Sequence, residues 1–187
     1  TATVCDEVYR TLMKMRWQPS LQIIPHYESE PLYIQAIVNS INHKLTNINW
    51  KPDLILASYH GIPKNYFDKG DPYHCYCHKT SRLIKETFNK DIPILTTFQS
   101  RFGPQEWLQP YTDKTLENLP KEGKKNVLVI SPGFSSDCVE TLEEISIQGK
   151  ESFFEAGGEK FDTIPCLNDN EDHIKLLVHL INKSLRK

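Results

Sequence analysis

Runs of apolar residues without polar alternation constrain this chain more than any other feature. Leu54-Ile55-Leu56-Ala57 and Val127-Leu128-Val129-Ile130 are uninterrupted, and "IPILTTFQS" (92–100) is nearly so. A strand with one wet face alternates apolar and polar residues, whereas these runs must be covered on both faces. Helical periodicity fills the segments between them. The pattern predicts helices near 3–16, 32–45, 79–89, 112–119, 137–156 and 171–185, and strands at 21–27, 53–58, 92–100, 125–134 and 160–168. The helix near 79–89 is expected to start from Thr80 or Ser81 as a cap, and the one at 137–156 to stop at Gly157-Gly158. In the last helix Ile174, Leu177, Val178, Ile181 and Leu185 share one face, the expected core face. Strands alternating with helices give an α/β fold, a parallel sheet with helices on both faces.

Composition excludes several classes of function. A net charge of -2 over 187 residues, with basic residues scattered apart from the solvated turn at Lys121–Lys125, argues against nucleic acid as a partner. No run of 18 apolar residues is present, so no segment reads as a transmembrane helix. Five widely spaced cysteines make a poor disulfide framework and fit a reducing compartment, the cytoplasm by default. Cys75 and Cys77 lie beside His74 and His78 but lack the Cys-x2-Cys spacing and second ligand pair of a structural zinc site, so local packing of a loop is expected there. His173 and His179 read as packing or surface histidines. The opening "TATVCDEVYRTLMKMRW" is helical in character from its first residues, which predicts that residue 1 lies inside a longer protein.

Ligands of open parallel sheets bind beyond the carboxyl ends of the strands. His60 follows the strand at 53–58, Gln99-Ser100-Arg101 the one at 92–100, and Ser131-Pro132-Gly133-Phe134 the one at 125–134. Asp137, Glu140 and Glu144 are spaced three and four apart, which places their carboxylates on one side of a helix beginning near that strand tip. An imidazole, carboxylates and aromatic rings are therefore expected in one cleft.

Four stretches, "SYHGIPKNYFDKGDPYHCYC", "TTFQSRFGPQEWLQPYTDKTLENL", "SPGFSSDCVETLEEI" and "EAGGEKFDTIPCLND", together resemble the bacterial ferrochelatases over essentially all 187 residues. The resemblance implies insertion of Fe2+ into protoporphyrin IX to make protohaem, by a protein of two Rossmann-like lobes that hold the porphyrin between them. It implies His60 and Glu140 as catalytic and metal-handling residues, with the division of proton and metal roles between them left open. Asp137 and Glu144 would form a proton or metal track, and Tyr59, Trp107 and Phe134 would contact the porphyrin. Two positions depart from the family: Gln148 stands where another acidic residue is common, and Cys138 where some relatives carry histidine.

The resemblance also implies that residues 1–20 complete or link to a missing N-terminal lobe and that residues 21–187 are the C-terminal lobe. Partners would be porphyrin and ferrous iron, with peripheral attachment to the inner membrane a further expectation. Iron would be substrate, with no permanently bound cofactor. No [2Fe-2S] cluster is expected, since no cysteine follows Cys166. A chelatase for coproporphyrin, another tetrapyrrole or cobalt, and a non-catalytic haem-binding module, remain alternatives.

Overall fold

The computed structural model describes residues 2–24 and 26–185. The chain divides into two compact units, Thr1–His26 with Leu177–Lys187, and Tyr27–Leu176.

The larger unit is an α/β layer structure around a four-stranded, all-parallel sheet in the order β2-β1-β3-β4. Its strands are β1 (Leu54–His60), β2 (Ile94–Gln99), β3 (Asn126–Ile130) and β4 (Lys160–Thr163). Register pairs Tyr59 with Phe98 and His60 with Gln99 on one edge of β1, and Ala57 with Ile130 on the other. Side chains alternate along a strand. Leu54, Leu56, Ser58 and His60 therefore face one helix layer, and Ile55, Ala57 and Tyr59 the other.

Helices α2 (Pro31–Asn47) and α4 (Tyr73–Phe88) form the second of these layers. The Tyr59 hydroxyl is hydrogen-bonded to Ser81 Oγ on α4 at 2.9 Å, which fixes the side. The first layer holds α5 (Thr112–Asn118), a π-helical segment (Glu140–Gly149) and α6 (Lys150–Glu155). Its core gathers Leu54, Leu56, Leu116, Val127, Val129, Ile145, Phe153 and Phe161. A short helix α3 (Lys64–Asp68) follows β1.

The expected strands at 53–58, 92–100, 125–134 and 160–168 form at those places, shorter at most ends. The strand expected at 21–27 does not form: its described residues have no regular structure. Leu21 and Ile23 are 44% and 37% exposed, so this apolar run lacks the double burial that a parallel strand requires. Helix α4 starts at Tyr73 rather than at a cap near residue 80, and Thr80 and Ser81 are buried within it. The helix expected at 137–156 starts later, leaving Asp137 outside it; it is π-helical over Glu140–Gly149 and α-helical over Lys150–Glu155, and Gly157, with a φ of +99°, gives the left-handed stop expected there.

The smaller unit contains α1 (Ala2–Leu12) and the end of α7 (Glu171–Leu185). Gln22 Nε2 donates to the Ser184 carbonyl at 3.0 Å. The face of α7 expected to be core is exposed: Val178 is 51%, Ile181 50% and Leu185 75% accessible. Leu176 and Leu180 are buried instead.

Phe153 has no exposed surface and its ring lies 5.7 Å from that of Phe161. Phe153→Ala should cost about 3–5 kcal/mol through lost burial and a residual cavity, read as a lowered denaturant midpoint with unchanged slope.

Candidate functional site

The sheet order changes direction between β1 and β3, since β2 lies outward of β1 on one side and β4 outward of β3 on the other. A crevice forms beyond the carboxyl ends at such a switch point. His60 is the last residue of β1 and Ser131–Phe134 follow β3, so both border it.

His60 is held by its surroundings. Its Nδ1 lies 2.6 Å from the Gly61 carbonyl, which accepts the Nδ1 proton and leaves Nε2 as the basic nitrogen of the neutral ring. The Tyr73 hydroxyl donates to the His60 carbonyl at 2.8 Å, and Gly61 N–H to the Gln99 carbonyl at 2.8 Å. A Cβ on Gly61 would meet that Gln99 oxygen at 3.0 Å and the Trp107 ring at 3.2 Å, so the close crossing of loop and strand requires glycine. The imidazole faces Trp107 and Phe134, with ring centroids at 6.4 and 6.2 Å.

Glu140 opens the π-helix. A hydrogen bond from Cys138 and its own backbone N–H hold its carboxyl below the usual range. Glu144 lies one turn on, and its carboxylate is clamped by β2: Ser100 N–H donates at 2.7 Å, Ser100 Oγ donates as well, and Gln99 Nε2 lies at 3.4 Å. Gln99 Nε2 also donates to the Glu140 carbonyl at 2.7 Å. Ser100 adopts φ +63°, an unfavourable conformation for a side-chain-bearing residue that the two bonds to Glu144 stabilise. Behind it runs a buried polar chain: Ser58 Oγ donates to Gln99 Oε1 at 2.7 Å and lies 2.8 Å from Thr112 Oγ1, which reaches Thr97 at 2.9 Å. The π-geometry fits these anchors, since Ser146 Oγ donates to the Thr141 carbonyl five residues back. A cavity of about 210 Å³ beside Glu144 is lined by Ser100, Arg101, Asp113 and Gln148.

Asp137 does not join Glu140 and Glu144. Its carboxylate accepts from Asn168 Nδ2 at 2.7 Å, Cys166 N–H at 3.1 Å and Thr141 Oγ1 at 3.1 Å. Burial would raise its pKa, but the bonds from Asn168, Cys166 and Thr141 prevail and lower it. It staples the loop after β3 to the loop after β4.

The aromatic residues also divide. Phe134 is part-exposed beside His60. Tyr59 is 2% exposed and lies under α4, on the opposite side of the sheet, so it presents no surface to a ligand. Trp107 is 6% exposed, with Nε1 bonded to the Phe102 carbonyl at 3.0 Å; its indole buttresses His60. The Phe102 ring packs against Trp107, tilted by 51° at 5.0 Å, and is 74% exposed. Val139 and Leu142, flanking Glu140, are 61% and 56% exposed. These three apolar surfaces had no signal in periodicity, because periodicity reports what is buried.

Burial pushes the Cys77 and Cys166 thiols up to about 12, which leaves them protonated at neutral pH. His173 is buried, with Nδ1 on the Asn168 carbonyl. No described helix is long and apolar enough to cross a membrane.

The family model named Ferrochelatase matches residues 1–185. Curated relatives include the ferrochelatases of Allorhizobium ampelinum, 55% identical over 100% of this chain and 54% of its own length, and of Rhizobium meliloti, 55% identical over 99% and 55%. That of Brucella anthropi is 52% identical over 100% of this chain and 53% of its own length. The chain thus spans about half the length of the curated relatives it matches.

Asp137 is a carboxylate whose pKa is lowered by folding, so it stabilises the fold above the ordinary aspartate value and loses that contribution as pH falls through the lower folded value. Wild type should lose stability on acidification below about pH 4. Asp137→Asn should be less stable at pH 7 and show a shallower loss in acid, as measured by urea unfolding at each pH.

Proposed function

Because the chain belongs to the ferrochelatase family, we propose that the protein carrying it inserts Fe2+ into protoporphyrin IX in haem biosynthesis. The observation that carries this reading is the pairing, beside the β1/β3 switch point, of an imidazole whose Nε2 is left basic with a carboxylate held anionic.

Metallation removes two pyrrole protons from the macrocycle while the hydrated ion exchanges water for ring nitrogens. His60 Nε2 is suited to take the first proton, because a neutral imidazole is a competent base near pH 7. Glu140, with its pKa lowered, is the poorer base, and its negative charge attracts the divalent ion. Glu144 and the cavity beside it extend a polar route away from Glu140. Gln148 lines the same cavity and adds no charge, so the anionic part of the track comprises Glu140 and Glu144.

Phe134, Phe102, Val139 and Leu142 supply apolar surface of the kind that a porphyrin face covers. In this reading a second lobe, outside these 187 residues, closes the other side of the macrocycle and meets its propionates. Iron is the substrate rather than a resident group, and the reaction belongs to the cytoplasm.

Glu140→Gln keeps the side-chain volume and removes the charge. It should lower anaerobic Fe2+ insertion by roughly 100-fold or more with little change in melting temperature; near-normal turnover would return Glu140 to a solvated surface position. In competition between protoporphyrin and coproporphyrin, protoporphyrin should be turned over preferentially, and preference for coproporphyrin would reverse the choice of substrate.

A further inference from the structure

We propose that His74 and His78 form a two-histidine chelate for a divalent transition-metal ion on helix α4, separate from the His60–Glu140 pair. The expected loop at these residues is instead the start of a 16-residue helix. Residues four apart on a helix lie one above the other on the same face, and the two imidazole centroids are 4.4 Å apart with planes inclined at 49°. Two nitrogens each about 2.1 Å from one ion must lie about 3 Å apart. Rings this close meet that span by small side-chain rotations.

Aromatic neighbours order the pair in advance. Phe67 lies 4.8 Å from His74, and Phe98 stacks on it at 5.7 Å with planes 21° apart. Phe98 also lies 6.2 Å from His78. Such packing reduces the rotamer entropy lost when a ligand binds. His78 is exposed and His74 half-buried, so an ion reaches the pair from solvent.

The location sets this pair apart. Phe98 is in register with Tyr59, and both rings turn toward the α4 layer, whereas His60 faces the π-helix layer. No third His, Cys, Asp or Glu joins the pair among the described residues, so water completes the coordination sphere. Two neutral nitrogens with water follow the general affinity order, in which Cu2+ and Ni2+ bind more tightly than Fe2+.

Titration calorimetry with Ni2+ alone, and electron paramagnetic resonance with Cu2+ alone, test the proposal on the protein carrying this chain. The wild type should bind Ni2+ at a site that His60→Ala leaves in place. His74→Ala and His78→Ala should each weaken that site at least tenfold. The Cu2+ resonance should show nitrogen couplings that disappear in the His78→Ala variant, and the Cu2+ absorption spectrum should show no sulfur-to-copper charge-transfer band. His78 is exposed, so its variant should melt as wild type and the readout does not depend on refolding. Ni2+ binding unchanged in the double variant His74→Ala/His78→Ala, or a single site abolished by His60→Ala, would overturn the proposal.

Discussion

Strand β1 is hydrogen-bonded along both edges, with Ile55 opposite Ile94 on one side and Leu128 on the other. Its six residues from Leu54 to Tyr59 are buried on both faces. A slip of one residue would exchange Leu54, Leu56 and Ser58 with Ile55, Ala57 and Tyr59 between two differently shaped helix layers. The same slip would turn His60 from the π-helix toward α4. Register is therefore what aims the imidazole, and the Gly61 carbonyl, the Tyr73 hydroxyl and the close approach of Trp107 then fix its nitrogen and its backbone.

The carboxylates are separated by their hydrogen bonds more than by their spacing. Cys166 N–H and Asn168 Nδ2 hold Asp137 to the loop after β4, and Gln99 and Ser100 hold Glu144 to the tip of β2. Glu140 keeps a lowered pKa through Cys138 and its own N–H while remaining part-exposed. Residues that look equivalent on a helical projection thus become a staple, a clamped relay position and an open anion. The buried chain Thr97–Thr112–Ser58–Gln99 orients the Gln99 amide so that its donors face the π-helix. The register of the sheet is passed in this way to the carboxylates.

Continuous apolar runs made the parallel sheet legible, because double burial leaves that signature in composition alone. His60 at a strand tip was legible for the same reason, since strand ends and the carboxyl-edge rule locate it. The run at 21–27 has similar composition, but its described residues join no strand, and apolar content cannot distinguish burial in a sheet from exposure elsewhere. The last helix illustrates the same limit: Ile174, Val178 and Ile181 share a face, yet Leu176 and Leu180 are the ones buried. Tyr59 was expected at the site because it precedes His60 in sequence, and Trp107 because its motif resembles the family's; alternation along β1 and the fold of the 101–110 loop bury both. The π-helix had no sequence signal, as it depends on anchors supplied by β2 from 40 or more residues away.

The central claim is that the rigidly held imidazole of His60 takes part in metallation rather than in holding the sheet edge. The bond its carbonyl accepts from Tyr73 and the neighbouring Gly61 N–H bond to Gln99 do not involve the ring, so His60→Ala should fold normally and still bind porphyrin through apolar contacts. Anaerobic Fe2+ insertion by that variant is the most direct measurement. The account predicts that insertion is abolished while porphyrin binding, followed by fluorescence quenching, persists. Insertion within a few-fold of wild type would contradict it.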